Sequence, residues 1–114
     1  MKSFHDKFKV ASRGLLVLLS DKSVVIQLLT ALFVIGFYWL IGATWLQLII
    51  ILIMCIIVIS CEMINTCLER ILDFICPEYN QNIGLIKDMS AGFVLFVAIG
   101  AAIVGIIILG VIIL

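Results

Sequence analysis

Four side chains of this sequence stand out for the chemistry they could do together: Glu62, Asn65, Glu69 and Asp73. Their spacing is i, i+3, i+7 and i+11, and on an α-helix such positions fall within about 80° of arc. Three carboxylates and one amide therefore share one stripe. The stripe follows directly on a long apolar run, so it begins where a helix would leave a membrane. A carboxylate near the centre of a bilayer costs roughly 2.5 kcal/mol or more, and less near an interface. Like charges one turn apart also repel. Such a helix needs cations. Arg70 and Lys87 are local partners, and a divalent metal is the other kind. Carboxylate and amide oxygens suit Mg²⁺, which commonly takes one or two carboxylates together with substrate phosphates. Asp21, at the edge of an earlier apolar run, is a further possible ligand.

Lys87-Asp88 stands at the start of the last apolar run. A lysine there can reach a phosphate as a point charge. Acids, a metal and a cation fit phosphoryl transfer, which needs mainly positioning and charge neutralisation. There is no G-x-x-x-x-G-K-S/T loop and no soluble-kinase signature, so any kinase activity uses a different scaffold. The residues alone lead to a metal-binding acidic site at a membrane surface. They leave three readings open: catalysis, a satisfied structural network, or an ion or proton pathway.

The elements that must position these residues follow from composition. The chain has 114 residues, 66% hydrophobic and 12% charged, with a mean hydropathy of +1.42. Soluble domains carry about 25% charged residues, so most of this single domain faces lipid. A net charge of zero leaves no basic stripe for a nucleic-acid partner. Residues 1–22 read as an amphipathic helix, with Phe4, Phe8, Ala11, Leu15 and Leu18 on one stripe and Lys2, Asp6, Lys9 and Arg13 opposite. That pattern predicts a helix lying in the membrane interface. Residues 24–41, 45–68 and 90–114 are the transmembrane candidates, each near the 20 residues a span requires. Trp39 and Trp45 bracket the short turn at 42–44, as interfacial rings do. The second helix pattern runs on through Asp73, and Pro77 should end it. Residues 69–89 form a helix end and a polar connection. The fold class is an all-α membrane protein.

Lys2, Lys7, Lys9, Arg13 and Lys22 precede the first span, Arg70 and Lys87 lie between the second and third, and the 42–44 turn has no cation. The positive-inside rule then places the N-terminus and the 62–88 connection in the cytoplasm. All seven acidic residues fall on that side. Cys55, Cys61, Cys67 and Cys76 form no C-x-x-C pair and read as small buried residues. Ala101 and Gly105 are a small-xxx-small pair suited to helix packing. No cleavable signal peptide is expected.

The run Glu62-x-x-Asn65-Thr66-Cys67-Leu68-Glu69-x-x-x-Asp73, then Pro77-Glu78-Tyr79 and Lys87-Asp88, closely resembles the prokaryotic diacylglycerol and undecaprenol kinases. Their pattern is E-x-x-N-S/T-A-I/L-E-x-x-x-D, then S-E-Y or P-E-Y, then A-K-D. The resemblance covers nearly the whole chain. It implies a homotrimer with active sites shared between subunits, ATP with Mg²⁺ as phosphoryl donor, and a membrane lipid alcohol as acceptor in the bacterial cytoplasmic membrane. By the same resemblance, Glu69 and Asp21 match the metal-binding acids and Glu62 the general base. Asn65, Asp73, Lys87 and Asp88 match positions around the nucleotide. The Asn65-Thr66 pair and the run Ser90-Ala91-Gly92 look closer to the undecaprenol branch. The chain departs from the pattern at Asp21, where the family usually has Glu, and at Ser23, Gln27, Leu85 and Cys67. The segment between Gly14 and Asp21 is one residue short. The rival classes are a small transporter or ion-conducting oligomer and a non-catalytic relative of the kinase. Acids clustered at one end, with apolar centres in the first and third spans, disfavour a path through the bilayer.

Overall fold

In the computed structural model, which describes residues 3–114, every helix starts at a polar side chain that caps it. Lys2, assigned above to the polar face of the first helix, lies outside the described residues. Ser3 accepts from the Asp6 amide at the head of α1 (Phe4–Leu19). Asp21 accepts from the Ser23 and Val24 amides at the head of α2 (Lys22–Leu40). Thr44 and Gln47 form a reciprocal capping box at the head of α3 (Trp45–Ile75). Asn80 accepts from the Asn82 and Ile83 amides at the head of α4 (Gln81–Ile113). Each cap satisfies backbone donors that a helix start leaves open. The Asn80 cap also shortens the connection. Residues 81–87, expected within a polar linker, are already helical, and only 76–80 separate α3 from α4.

The breaks are equally local. Gly42 has φ +90°, a conformation that costs a side-chain-bearing residue energy, and it ends α2 in a tight turn. Pro77 disfavours helical backbone at the residue before it. Accordingly Cys76 is extended, at φ −140° and ψ 87°, while its amide still closes the last turn onto the Leu72 carbonyl.

Three helices are long and apolar enough to cross a membrane: α2, α3 and α4. Their backbone polar groups are satisfied within each helix, as a bilayer demands. α3 packs against both α2 and α4. The core is small, centred on Tyr38, Ile51 and Ile108 with Val34, Leu48 and Val104 against it. Most other large apolar side chains face outward, Phe33 and Phe96 at 76% exposure each. Such a surface suits lipid, not water. α1 buries no residue in this chain. Of the four cysteines only Cys61 is buried; Cys67 is exposed, against the expectation of small buried residues, because it faces away from both α2 and α4.

Gly105 also makes a contact that the small-xxx-small pattern with Ala101 does not describe. Its carbonyl accepts a 2.5 Å hydrogen bond from the Tyr38 hydroxyl of α2. A Cβ at position 105 would lie 3.1 Å from that same oxygen. A small residue thus lets α2 and α4 approach while a buried hydroxyl finds its acceptor. Cross-helix bonds of this kind are worth about 0.6–1 kcal/mol in membranes. Tyr38→Phe should lower the unfolding free energy in detergent by about that amount, and a chemical-denaturation curve would read it.

Candidate functional site

Helix length decides which residues share a level. A span of about 30 Å uses about 20 residues. Counting from Trp45 along the 31 residues of α3, the apolar slab ends near Ile64, so Glu62 sits at its edge and Glu69 and Asp73 beyond. Counting back from Leu114 along the 33 residues of α4 places Ser90, Asp88 and Lys87 past the same boundary. The 19 residues of α2 place Asp21 there too. Three helices therefore deliver their polar residues to one end of the bundle.

Contacts tie them together. The Lys87 ammonium meets Asp73 Oδ1 at 2.5 Å, joining α4 to α3. The Ser90 hydroxyl donates to Asn65 Oδ1 at 2.6 Å. The Asn65 amide in turn donates to Glu69 Oε1 at 3.2 Å. Asn65 and Thr66 are the buried polar residues among the described residues, at 7% and 5% exposure. Thr66 lies on α3 about 100° around from Asn65, so it faces α2 and donates to Asp21 Oδ2 at 3.3 Å. Arg70 Nη2 stands 3.7 Å from Asp21 Oδ1. Of the two local cations, Arg70 thus faces Asp21 and Lys87 pairs with Asp73. Glu62 is half-buried and feels the charges of Glu69 and Asp21. Asp88, one residue on from Lys87, is turned away and exposed, with no side-chain partner among the described residues.

The structure thus gathers three bonded groups at this end, Ser90–Asn65–Glu69, Lys87–Asp73 and Asp21 with Thr66 and Arg70, places Glu62 beside them and leaves Asp88 outside. Among the described residues, no three His, Cys, Asp or Glu side chains converge tightly enough to hold a metal unaided. The donor set still fits Mg²⁺, since that ion completes its shell with water and substrate phosphate rather than an all-protein cage. The Asn65 bond falls on Glu69 Oε1 and leaves Oε2 for a cation. Asp21 fits less freely. Its Oδ2 caps α2 and receives Thr66, and its Oδ1 faces Arg70. Asp21→Ala should therefore lower stability by about 1 kcal/mol, the worth of an N-cap, while Asp21→Asn, an equally good cap, should unfold near wild type. Thermal unfolding of both variants in detergent separates the cap from the charge.

The family model described as prokaryotic diacylglycerol kinase matches residues 9–109. The chain belongs to that family. No curated protein and no solved structure matched it. Asp21, the Glu62–Asp73 stripe and Lys87-Asp88 all lie within the matched residues. Sequence reasoning on this lipid-kinase chain missed Thr66 and Ser90 as network members. The available signal was weak: each is a hydroxyl at the polar edge of an apolar helix, where a donor to a carboxylate or amide would be useful.

Proposed function

We propose that this chain transfers the γ-phosphoryl group of ATP to the hydroxyl of a membrane lipid alcohol at the cytoplasmic face of the bacterial membrane. The supporting observation is the pair of cross-helix links at the bundle's polar end, Ser90 to Asn65 and on to Glu69, and Lys87 to Asp73. Lys2, Lys7, Lys9, Arg13 and Lys22 at the N-terminal end support a cytoplasmic position for that end. The amphipathic α1, with Phe4 and Phe8 exposed, supports its lying along the same surface.

In this reading Glu69 and Asp21 would hold Mg²⁺, which when bound would neutralise charge on the transferring phosphates. Lys87, anchored by Asp73, offers its ammonium to a phosphate oxygen, and Asn65 and Asp88 border the nucleotide. Glu62 sits closest to the lipid and accepts the proton of the acceptor hydroxyl. The alcohol oxygen bonds to the γ-phosphorus as the bond to the bridging oxygen breaks, and ADP leaves. Sites shared in a homotrimer would bring further groups from a neighbour. The acceptor is undecaprenol in preference to diacylglycerol, on the Asn65-Thr66 and Ser90-Ala91-Gly92 runs.

The test is transfer of labelled γ-phosphate by purified protein in mixed micelles, with undecaprenol and diacylglycerol offered in parallel. Magnesium-dependent label in one lipid establishes the reaction and its acceptor. A folded oligomer that labels neither lipid ends the kinase reading.

A further inference from the structure

Six hydroxyls of this chain donate in one of two ways. A serine or threonine inside a helix ordinarily turns its hydroxyl back onto a carbonyl of its own preceding turn. Ser12, Thr30 and Ser60 do so, at 2.9, 2.8 and 2.7 Å to the carbonyl four residues back. Ser20 does the same three residues back at 2.7 Å. Ser90 and Thr66 do not. Each donates across a helix pair to a side chain, and both meet at the acidic end of the bundle.

Ser90 has the clearer consequence. An asparagine amide has an acceptor end and a donor end of nearly the same shape, and its neighbours decide which way it points. Ser90 donates to Asn65 Oδ1 and so fixes the carbonyl end toward α4. The NH₂ end then faces Glu69 and donates to Oε1. Asn65 is buried, so neither end can exchange its partner for water. The chain of bonds runs from a hydroxyl on α4, through an amide on α3, to one oxygen of a carboxylate a turn further along α3.

We infer that Ser90 is a positioning residue: by holding the Asn65 amide, it sets the Glu69 carboxylate with Oε2 presented to a cation. This rests on the kinase reading above, in which Glu69 is a metal ligand, and extends it to a residue that neither touches the metal nor the nucleotide. Groups that orient a metal's ligands commonly change metal affinity 10–100-fold when lost.

The test compares Ser90→Thr with Ser90→Val, two side chains of the same shape of which only the first keeps the hydroxyl. The probe is Mn²⁺, titrated into the purified full chain in detergent with a non-hydrolysable ATP analogue and followed by loss of the free-ion EPR signal. The expected result is an Mn²⁺ dissociation constant raised about tenfold in Ser90→Val and within about twofold of wild type in Ser90→Thr. The KM for lipid should stay unchanged in both, which a general loosening of the bundle would not leave untouched. Ser90→Ala, which adds no bulk, gives the same comparison if valine disturbs packing. Equal Mn²⁺ affinity in the threonine and valine variants, beside a wild type that binds the ion and labels lipid, would overturn the Ser90 assignment and leave the kinase reading standing. A wild type that neither binds Mn²⁺ nor labels lipid would remove both.

Discussion

Glu69→Gln is expected to reduce phosphoryl transfer at least about 1,000-fold, or about 4 kcal/mol of transition-state stabilisation. The substitution is chosen to separate charge from structure. Glutamine keeps a carbonyl oxygen that can accept from the Asn65 amide, so the bond now at 3.2 Å survives. The Asn65–Ser90 bond is left alone. What disappears is the negative charge that, in the proposed reaction, faces the cation. In a site where the developing phosphate charge must be neutralised almost entirely by metal and lysine, the lost ligand falls on the rate of chemistry. The half-saturating Mg²⁺ concentration should rise in step. Stability should stay within about 0.5 kcal/mol of wild type, since Glu69 is only half-buried and fills no cavity. Initial rates at saturating ATP and lipid, across a Mg²⁺ series, measure both quantities. A variant working within tenfold of wild type would show that Glu69 is not the metal's main protein ligand.

Most of the fold could be read from sequence because the bilayer leaves few alternatives. Long uncharged runs become helices, and the C-terminal ends of α2 and α3 follow from Gly42 and Pro77. The acidic stripe was equally legible, because a helical period converts spacing into direction without knowledge of neighbours. What could not be read is which side chains meet between helices. Lys87 and Asp73 are 14 residues apart and Asp21 and Thr66 are 45 apart, and no local pattern links either pair. The Asp21 carboxylate shows the difference most clearly. Its residue type and edge position suggested a metal ligand, and its place before Lys22 makes it a helix cap as well. Both readings use the same oxygens, and only the geometry of Thr66 and Arg70 around it shows how much of the carboxylate is already engaged. The connection after α3 was shortened for a similar reason. A run of polar residues reads as linker until Asn80 is seen to cap a helix that the polar residues simply continue.

In the proposed reaction the two glutamates divide the labour by depth. Glu62 lies two turns nearer the apolar slab than Glu69, at the level where a lipid hydroxyl would enter. A lipid alcohol is a poor nucleophile until its proton is accepted, and general-base catalysis contributes about 10²–10⁴ in rate. Glu62→Gln should therefore slow transfer about 1,000-fold, and it should do so differently from Glu69→Gln. Glutamine at 62 cannot take a proton, yet the metal ligands and Lys87 remain. Half-saturating Mg²⁺ and the affinity for ATP should hold near wild type, with the loss confined to the rate. The pH dependence supplies the sharper distinction. A carboxylate base works only when ionised, so wild-type activity should fall as the medium is acidified through the titration of Glu62. In Glu62→Gln that acid limb should vanish, leaving a low rate that no longer responds to acid over the same range. Rates measured at saturating substrates across pH, for wild type and both glutamine variants, decide the matter. If the acid limb persists in Glu62→Gln, the proton goes to another group, and Asp73, the remaining carboxylate on the same stripe, is the next to replace.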